Sequence, residues 1–315
     1  MRVLFWGTPA FATPSLRALL GEGFEVVGVV TQPDRPVGRS RSQLRAPPVK
    51  QVAERERFPV LQPERPRGDA FVAQVAELQP DVNVVVAYGH LLPREIIDLP
   101  PRGTLNVHAS LLPLLRGAAP IQAAIRDGHT ETGVSIMRMV LALDAGPVIL
   151  QSRAPIFNDE TAGELALRLS ELGAAALIEA LALLELDAAV EVPQDESRAT
   201  YAARIVREMT RVDWRQDAEA VCRTIRAYDP APGAFSTLNG TEVKLFGAHL
   251  AARGGGQPGE VLAIHADGMV VACGNGSGGV RVSAVQPAGK RRMPPADWQR
   301  GRGVAPGHRF EDTAG

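Results

Sequence analysis

The chain has only two cysteines, Cys222 and Cys273, far apart in sequence. They offer neither a disulfide framework nor a CxxC metal pair and read as small buried thiols. Long apolar runs are also missing. The longest, "GAAALIEALALLEL", has 14 residues and carries Glu179 and Glu185, too short and too charged to cross a bilayer. The opening "MRVLFWG" is too short for a signal peptide and runs at once into Thr-Pro. A cytoplasmic protein with no membrane partner is expected. The first strand–helix turn, "GTPAFATPS", lacks the G-x-G-x-x-G spacing that lets a pyrophosphate approach the backbone, which argues against a nicotinamide or flavin dinucleotide. The G-x-x-x-x-G-K-[ST] phosphate loop is absent too. His90, His129, His249, His265 and His308 show no HxH or HExxH spacing and read as surface residues, so no metal is expected.

A global excess of charge is missing as well. Thirty-four Lys and Arg stand against 35 Asp and Glu, so the average does not point to nucleic acid. The average conceals local patches. Residues 32–57 hold seven bases against three acids, a net +4, and residues 286–309 hold six bases against one acid, a net +5. Residues 155–200 hold ten acids against two arginines, a net −8.

With 315 residues, the chain is long enough for two domains. "RVLFWG" is a continuous apolar run, as expected of a strand buried on both faces. "TPSLRALLGEG" reads as a helix that Thr13 can cap and Gly21 or Gly23 can stop. The strands "EVVGVVT", "VNVVVAYG" and "GTLNVH" alternate with the helices "VKQVAERER", "DAFVAQVAEL", "REIIDL" and "APIQAAIRDG". That alternation predicts an α/β fold, an open Rossmann-like parallel sheet with helices on both faces. "TGVSIMRM" and "PVILQSRAPI" read as two more strands, and "TAGELALRLSELGAAALIEALALLEL" as a long helix broken at Gly173. Residues 191–207, polar and poorly periodic, read as a linker between a catalytic domain over 1–190 and a second domain over 208–315. In that second domain one helix, "AEAVCRTIRAY", precedes the strands "GAFSTL", "TEVKLFGAHL", "GEVLAIH", "GMVVACG" and "GVRVSAV". They predict a small antiparallel, OB-like β-barrel.

The strand "TLNVH" carries an amide and an imidazole two residues apart, so Asn106 and His108 share a face while Leu105 and Val107 take the other. At the carboxyl end of a strand in an open α/β sheet, that face looks into the crevice where ligands bind. Asp144, in "LALDAGP", lies 36 residues after His108. An aspartate that reaches a histidine orients the ring and favours its protonated form. Asn, His and Asp together suit acyl transfer, where an amide steadies an oxyanion and an imidazole moves a proton.

"NVHASLLP", "RGAAPIQ" and "LDAGP" together resemble the folate-dependent formyltransferases. "VVTQPDRPVGR", "VVVAYGHLLP", "IRAYDPAPGA" and "VQPAGKRRM" make the resemblance closest to members that act on tRNA, over nearly the whole length. The resemblance implies 10-formyltetrahydrofolate as formyl donor and the α-amino group of methionine on initiator tRNA as acceptor, and a two-domain design with one long substrate suggests a monomer. It places Asn106, His108 and Asp144 in the catalytic positions. It assigns Ser110, Leu111, Leu112 and Pro113 to the tetrahydrofolate segment, and Tyr88, Leu91 and Leu92 to the pterin wall. It implies tRNA contact by Arg35, Arg39, Arg41 and Arg45 and by Lys290, Arg291 and Arg292. The sequence departs from the family's pattern at Leu114-Leu115, where a basic or aromatic pair is usual, and at "GRSRSQLR", which spreads arginines where lysines are common. Two other readings stay open: a formyltransferase for an amino sugar nucleotide or glycinamide ribonucleotide, and a non-catalytic RNA-binding module.

Overall fold

The computed structural model describes residues 1–37, 43–251, 255–274, 276 and 278–311. The chain divides into two compact units. The first comprises Met1–Gly117, Glu131–Ala154 and Ala166–Tyr201, and the second Ala118–Thr130, Pro155–Leu165 and Ala202–Gly315. Residues 191–201 of the expected linker thus fall in the first unit and 202–207 in the second.

The elements in chain order begin with β1 (Arg2–Gly7), α1 (Thr13–Gly21), β2 (Glu25–Val30), β3 (Arg35–Val37), β4 (Gln43–Arg45), α2 (Pro48–Arg55) and β5 (Val60–Leu61). They continue with α3 (Asp69–Glu77), β6 (Val82–Val86), α4 (Arg94–Ile97), β7 (Thr104–His108), β8 (Arg116–Gly117), α5 (Pro120–Arg126), β9 (Glu131–Arg138), β10 (Val148–Pro155) and α6 (Ala162–Glu185). Seven of these strands form one sheet in the order β10-β9-β7-β6-β1-β2-β5. From β5 to β7 every pairing is parallel. β9 runs antiparallel to β7, so the expected parallel sheet ends there. Helices α1 to α4 return the chain between the parallel strands, whereas α5, between β7 and β9, belongs to the second unit. Without a crossover helix of its own, the next strand comes back antiparallel.

The strand register sets the two faces. Trp6 pairs with Val85, and Val85 with Asn106, so these side chains share a face. Leu4, Trp6 and Val85 pack there with Phe71 and Val75 of α3, with Ile96 and Ile97 of α4, and with Tyr88 and Leu92. Val107 lies on the opposite face, under α6. A Cβ on Gly173 would come within 3.0 Å of Val107 Cγ1 and 3.4 Å of Val134 Cγ1. The glycine expected to break the helix therefore lies inside an unbroken one, and its missing side chain lets α6 approach the sheet. Thr13 is the first residue of α1 rather than its cap, its hydroxyl donating to the Ala10 carbonyl at 2.9 Å.

After β11 (Tyr201–Ala202), where the chain passes from the first unit to the second, α7 (Ala218–Ala227) precedes β12 (Ala234–Leu238), β13 (Thr241–Ala251), β14 (Val261–His265), β15 (Gly268–Ala272) and β16 (Gly279–Pro287). α8 (Pro295–Arg300) and β17 (Phe310–Glu311) follow. Asp217 caps α7, its carboxylate accepting from the Ala220 amide at 2.7 Å. The six strands form an antiparallel sheet in the order β14-β15-β16-β13-β12-β17. Its two edges meet. The Val261 amide donates to the His308 carbonyl at 2.8 Å and the Phe310 amide to the Gly259 carbonyl at 2.9 Å, which curls the sheet into the expected small barrel. Trp214 stacks on Phe310 and donates its indole N–H to Ser236 Oγ at 3.0 Å, closing the barrel core. α8, in the basic stretch 286–309, and β17, just after it, have no counterpart in the sequence-based expectation. Among the described residues, no helix is long and apolar enough to cross a membrane.

Candidate active site

β7 delivers Asn106 and His108 to one face at its carboxyl end, as the alternation requires. Asn106 is half-buried and its side-chain amide has no hydrogen-bond partner among the described residues, which leaves its donors free for a ligand. His108 is buried. Its Nε2 donates to the Leu115 carbonyl at 3.0 Å, and its Nδ1 lies 3.8 Å from Asp144 Oδ2. A carbonyl only accepts, so Nε2 carries the hydrogen, and in the neutral ring Nδ1 is the basic atom, facing the carboxylate. Burial lowers the imidazole below its ordinary pKa. The Asp144 charge and the Leu115 hydrogen bond oppose that shift without overcoming it. Burial thus favours the neutral ring, and a carboxylate lies beside the atom that would take a proton.

Asp144 occupies the loop between β9 and β10 in a left-handed backbone conformation, φ 49°. Its Oδ2 accepts from the Gly117 amide at 2.8 Å, which turns the carboxylate toward the ring. A Cβ at Gly146 would meet the Arg138 carbonyl oxygen at 1.8 Å, so only glycine fits there.

The Ser110–Pro113 segment is held by a small polar cluster. Ser110 Oγ donates to the Leu114 carbonyl at 2.6 Å. Ser135 Oγ donates to the Ser110 carbonyl at 2.7 Å and accepts from the Leu112 amide at 3.0 Å. Gln151 Nε2 donates to the Leu112 carbonyl at 2.8 Å. Leu112 is buried, while Leu111 and Pro113 are half-buried, with Leu111 lying over Gly133. Tyr88 stands edge-on to Trp6 at 5.4 Å. Its buried hydroxyl has no partner among the described residues, and burial pushes it up to about 12. Leu92 is buried in the same cluster, and Leu91 is 80% exposed.

Arg35 and Arg45 face each other across the β3–β4 hairpin and are both exposed. Arg39 and Arg41 lie outside the described residues. Arg35 also donates to Gln32 Oε1, while Gln32 Nε2 donates to the Tyr88 carbonyl at 3.0 Å. Lys290 and Arg291 are exposed. The Arg292 guanidinium lies 4.0 Å over the Phe246 ring and 3.3 Å from the buried Asp229 carboxylate. Among the described residues, no three His, Cys, Asp or Glu side chains are grouped to hold a metal.

Gln32, Arg116, Ser135, Gln151 and Gln194 bond to the segments that carry these residues, and sequence reasoning passed them over. None lies in a recognisable spacing. Gln194 sits in the stretch that reads as linker, where polarity conceals contact.

Residues 1–181 match the family described as formyl transferase, and residues 204–303 match the formyl transferase C-terminal domain. The chain belongs to the formyl transferase family. Within it, the methionyl-tRNA formyltransferase of Magnetococcus marinus is 47% identical over 309 residues, covering 98% of this chain and 98% of that one. The methionyl-tRNA formyltransferase of Aromatoleum aromaticum is 46% identical over 314 residues, covering 100% of this chain and 98% of that one. Among solved structures, HypX from Aquifex aeolicus in complex with tetrahydrofolic acid matches with a TM-score of 0.69 at 24% identity. The match covers 94% of this chain and 46% of HypX, so this chain spans about half of that protein and shares its fold there.

Proposed function

We propose that this formyl transferase moves the formyl group of 10-formyltetrahydrofolate to the α-amino group of methionine on initiator tRNA, giving formylmethionyl-tRNA for translation initiation in the cytoplasm. The observation that carries the chemistry is the buried His108 beside Asp144, with the Asn106 amide, unpaired among the described residues, on the same strand face. The similarity to methionyl-tRNA formyltransferases over nearly the whole chain supports the choice of acceptor.

The residues present fit a folate. Leu91, Val140, Leu141 and Leu143 are exposed apolar side chains in the two loops that flank Tyr88 and precede Asp144. Met139, which leads into the second loop, packs against the cluster holding Tyr88 and Leu92. Apolar walls with an unpaired buried hydroxyl suit a flat heteroaromatic ring carrying polar edges. We assign Ser110, Leu111, Leu112, Pro113, Tyr88, Leu91 and Leu92 to that site. When bound, the folate supplies a formyl carbon on a nitrogen that can leave.

The chain's own residues then divide the work. Asn106 donates its amide N–H to the formyl oxygen as negative charge gathers there. A free α-amino group titrates near pH ~7.7–8.0, so a useful fraction is already neutral. The proton it loses on acylation goes to His108 Nδ1, where Asp144 stabilises the imidazolium. The protonated ring can return that proton to the departing nitrogen.

The two basic patches serve the large acceptor. Arg35, Arg39, Arg41 and Arg45 in the first unit, and Lys290, Arg291 and Arg292 in the second, pair with tRNA phosphates. Raising salt should weaken tRNA binding steeply and leave folate binding nearly unchanged. A single long substrate gripped at both units needs no second copy of the chain, and we take the enzyme to act as a monomer.

The deciding experiment supplies formyl-labelled 10-formyltetrahydrofolate with Met-tRNA, glycinamide ribonucleotide and an amino sugar nucleotide in parallel. Label on Met-tRNA alone is expected. Label on either small amine in preference to Met-tRNA overturns the acceptor, and label on none overturns the activity.

A further inference from the structure

Residues 191–200 are laid against both segments that build the catalytic pair. Arg138 of β9 pairs with Glu191. The Val148 amide donates to the Val192 carbonyl at 2.8 Å, and the Val192 amide returns the bond at 2.9 Å. Gln194 Nε2 donates to the Asp144 carbonyl at 2.8 Å and to the Gly146 carbonyl at 2.7 Å. Its Oε1 accepts from Arg116 Nε at 3.0 Å and Nη2 at 2.9 Å. The same Arg116, a buried guanidinium, donates to both carboxylate oxygens of Glu196 at 2.9 and 2.7 Å. Thr200 Oγ1 accepts from the Leu115 amide at 2.8 Å, and the Thr200 carbonyl from the Arg116 amide at 2.8 Å.

Gln194 is the centre of this strap. One of its ends grips the loop that carries Asp144, and the other is gripped by the residue next to Gly117, whose amide aims the Asp144 carboxylate. Leu115, whose carbonyl takes the His108 hydrogen bond, is fastened to the same strap. Asp144 holds a left-handed backbone, a conformation that costs a residue with a side chain free energy, though less for aspartate than for most. Both carbonyls that Gln194 binds belong to that turn. We propose that Gln194, seated by Arg116, is a positioning residue for formyl transfer, fixing the Asp144 carboxylate against the His108 ring by clamping the turn from behind. The proposal rests on the reading of His108 and Asp144 as the catalytic pair.

The test is a double-mutant cycle on the full chain, with 10-formyltetrahydrofolate and Met-tRNA as substrates and thermal unfolding followed in parallel. Gln194→Ala removes the clamp. Gln194→Glu keeps an acceptor for Arg116 but sets a carboxylate against two carbonyl oxygens, so the strap stays anchored while the turn is released. Both should lower kcat by about 10- to 100-fold, as expected of a misplaced catalytic group, with the KM for Met-tRNA little changed. In an Asp144→Ala background, adding Gln194→Ala should change kcat by less than about twofold, because the residue it positions has gone. Wild-type kcat in a folded Gln194 variant, or an undiminished second loss in the Asp144→Ala background, overturns the proposal. Wild-type turnover by Asp144→Ala alone overturns the reading of the pair, and the role of Gln194 with it.

Discussion

Nδ1 of His108 lies 3.8 Å from Oδ2 of Asp144, across 36 residues of chain, and neither group reaches the other without a third partner. Leu115 fixes the ring from its far side and Gly117 fixes the carboxylate, and both belong to the short segment that follows the Ser-Leu-Leu-Pro turn. The apolar loop after β7 is thus the template on which a histidine and an aspartate are brought face to face. At 3.8 Å the two do not yet share a hydrogen bond. Protonation of Nδ1 would supply the donor, so the pair is set to tighten when the ring takes up a proton.

Replacement of His108, or of its strand neighbour Asn106, should be felt in rate. Asn106→Ala removes a side-chain amide that is unpaired among the described residues and should cost ~2.7–4 kcal/mol in the barrier, or ~10²–10³ in kcat. His108→Ala should cost ~10²–10⁴. Asn106→Ala should leave the thermal unfolding temperature close to that of the parent, since Asn106 makes no internal side-chain bond among the described residues, whereas His108→Ala takes the donor from the Leu115 carbonyl at a buried position and should lower it. Steady-state kinetics at saturating Met-tRNA check this, and wild-type turnover in either variant removes that residue from the mechanism.

The imidazole titration has a definite sign. Burial disfavours the charged ring and lowers its pKa below 6.5, while the Asp144 carboxylate favours the charged ring and raises it. In Asp144→Asn the opposing influence is lost, so His108 should titrate lower still. Because the folded pKa lies below the unfolded one, stability is fully present above pH 6.5 and declines as the pH falls through that value toward the folded pKa. NMR titration of the His108 ring in both proteins measures the order directly. A wild-type value above 6.5, or a rise in the Asn variant, contradicts the assignment of burial as the dominant influence.

Much of this was legible in the sequence, for physical reasons that also mark where it stopped. Period-two alternation placed Asn106 and His108 on one face, and the register with Val85 and Trp6 bears that out. The five barrel strands between residues 234 and 287 were legible because turn residues separate them. β17 is only two residues long and gives no periodicity, and α8 is masked by the surrounding Pro and Arg residues. Gly173 misled because propensity argues for a break, while the packing of α6 on Val107 and Val134 requires the absence of a side chain. Gln194 was invisible for a different cause. Its role consists of hydrogen bonds to main-chain carbonyls, which no pattern of residue types announces.

The Gly173 contact gives a stability prediction. Gly173→Leu adds four carbons where a Cβ alone would come within 3.0 Å of Val107 Cγ1. Overpacking of this kind costs ~1–3 kcal/mol, more than the ~1 kcal/mol that leaving glycine gains in a helix. Urea unfolding should show a lower midpoint with an unchanged slope. A midpoint at or above the parent's would mean that α6 can move off the sheet at no cost.

The thiols should be inert. Cys222 and Cys273 are buried, and burial pushes both up to about 12, so almost no thiolate exists at pH 8. An aromatic disulfide reagent at pH 8 should count no reactive thiol in the native protein and two after denaturation. Rapid reaction of either thiol in the native state would place it on an opening segment of the second unit.

Arg292 separates two roles that the basic tail mixes. Its guanidinium covers Phe246 at 4.0 Å and meets the buried Asp229 carboxylate at 3.3 Å, where the Gly247 amide also donates at 2.8 Å. Lys290 is exposed and makes no salt bridge among the described residues. Arg292→Ala should therefore lower the stability of the barrel by about 1 kcal/mol, chiefly through the lost ring contact and the Asp229 partner, discounted for the half-exposed cation. Lys290→Ala should leave stability unchanged. If both cations also touch tRNA phosphates, each variant should reduce the slope of log binding constant against log salt by about one. Thermal unfolding and salt-titrated tRNA binding, measured on the same two proteins, read the roles apart. An Arg292→Ala variant as stable as the parent would mean that its contacts with Phe246 and Asp229 are incidental, and that the side chain is free to serve the nucleic acid alone.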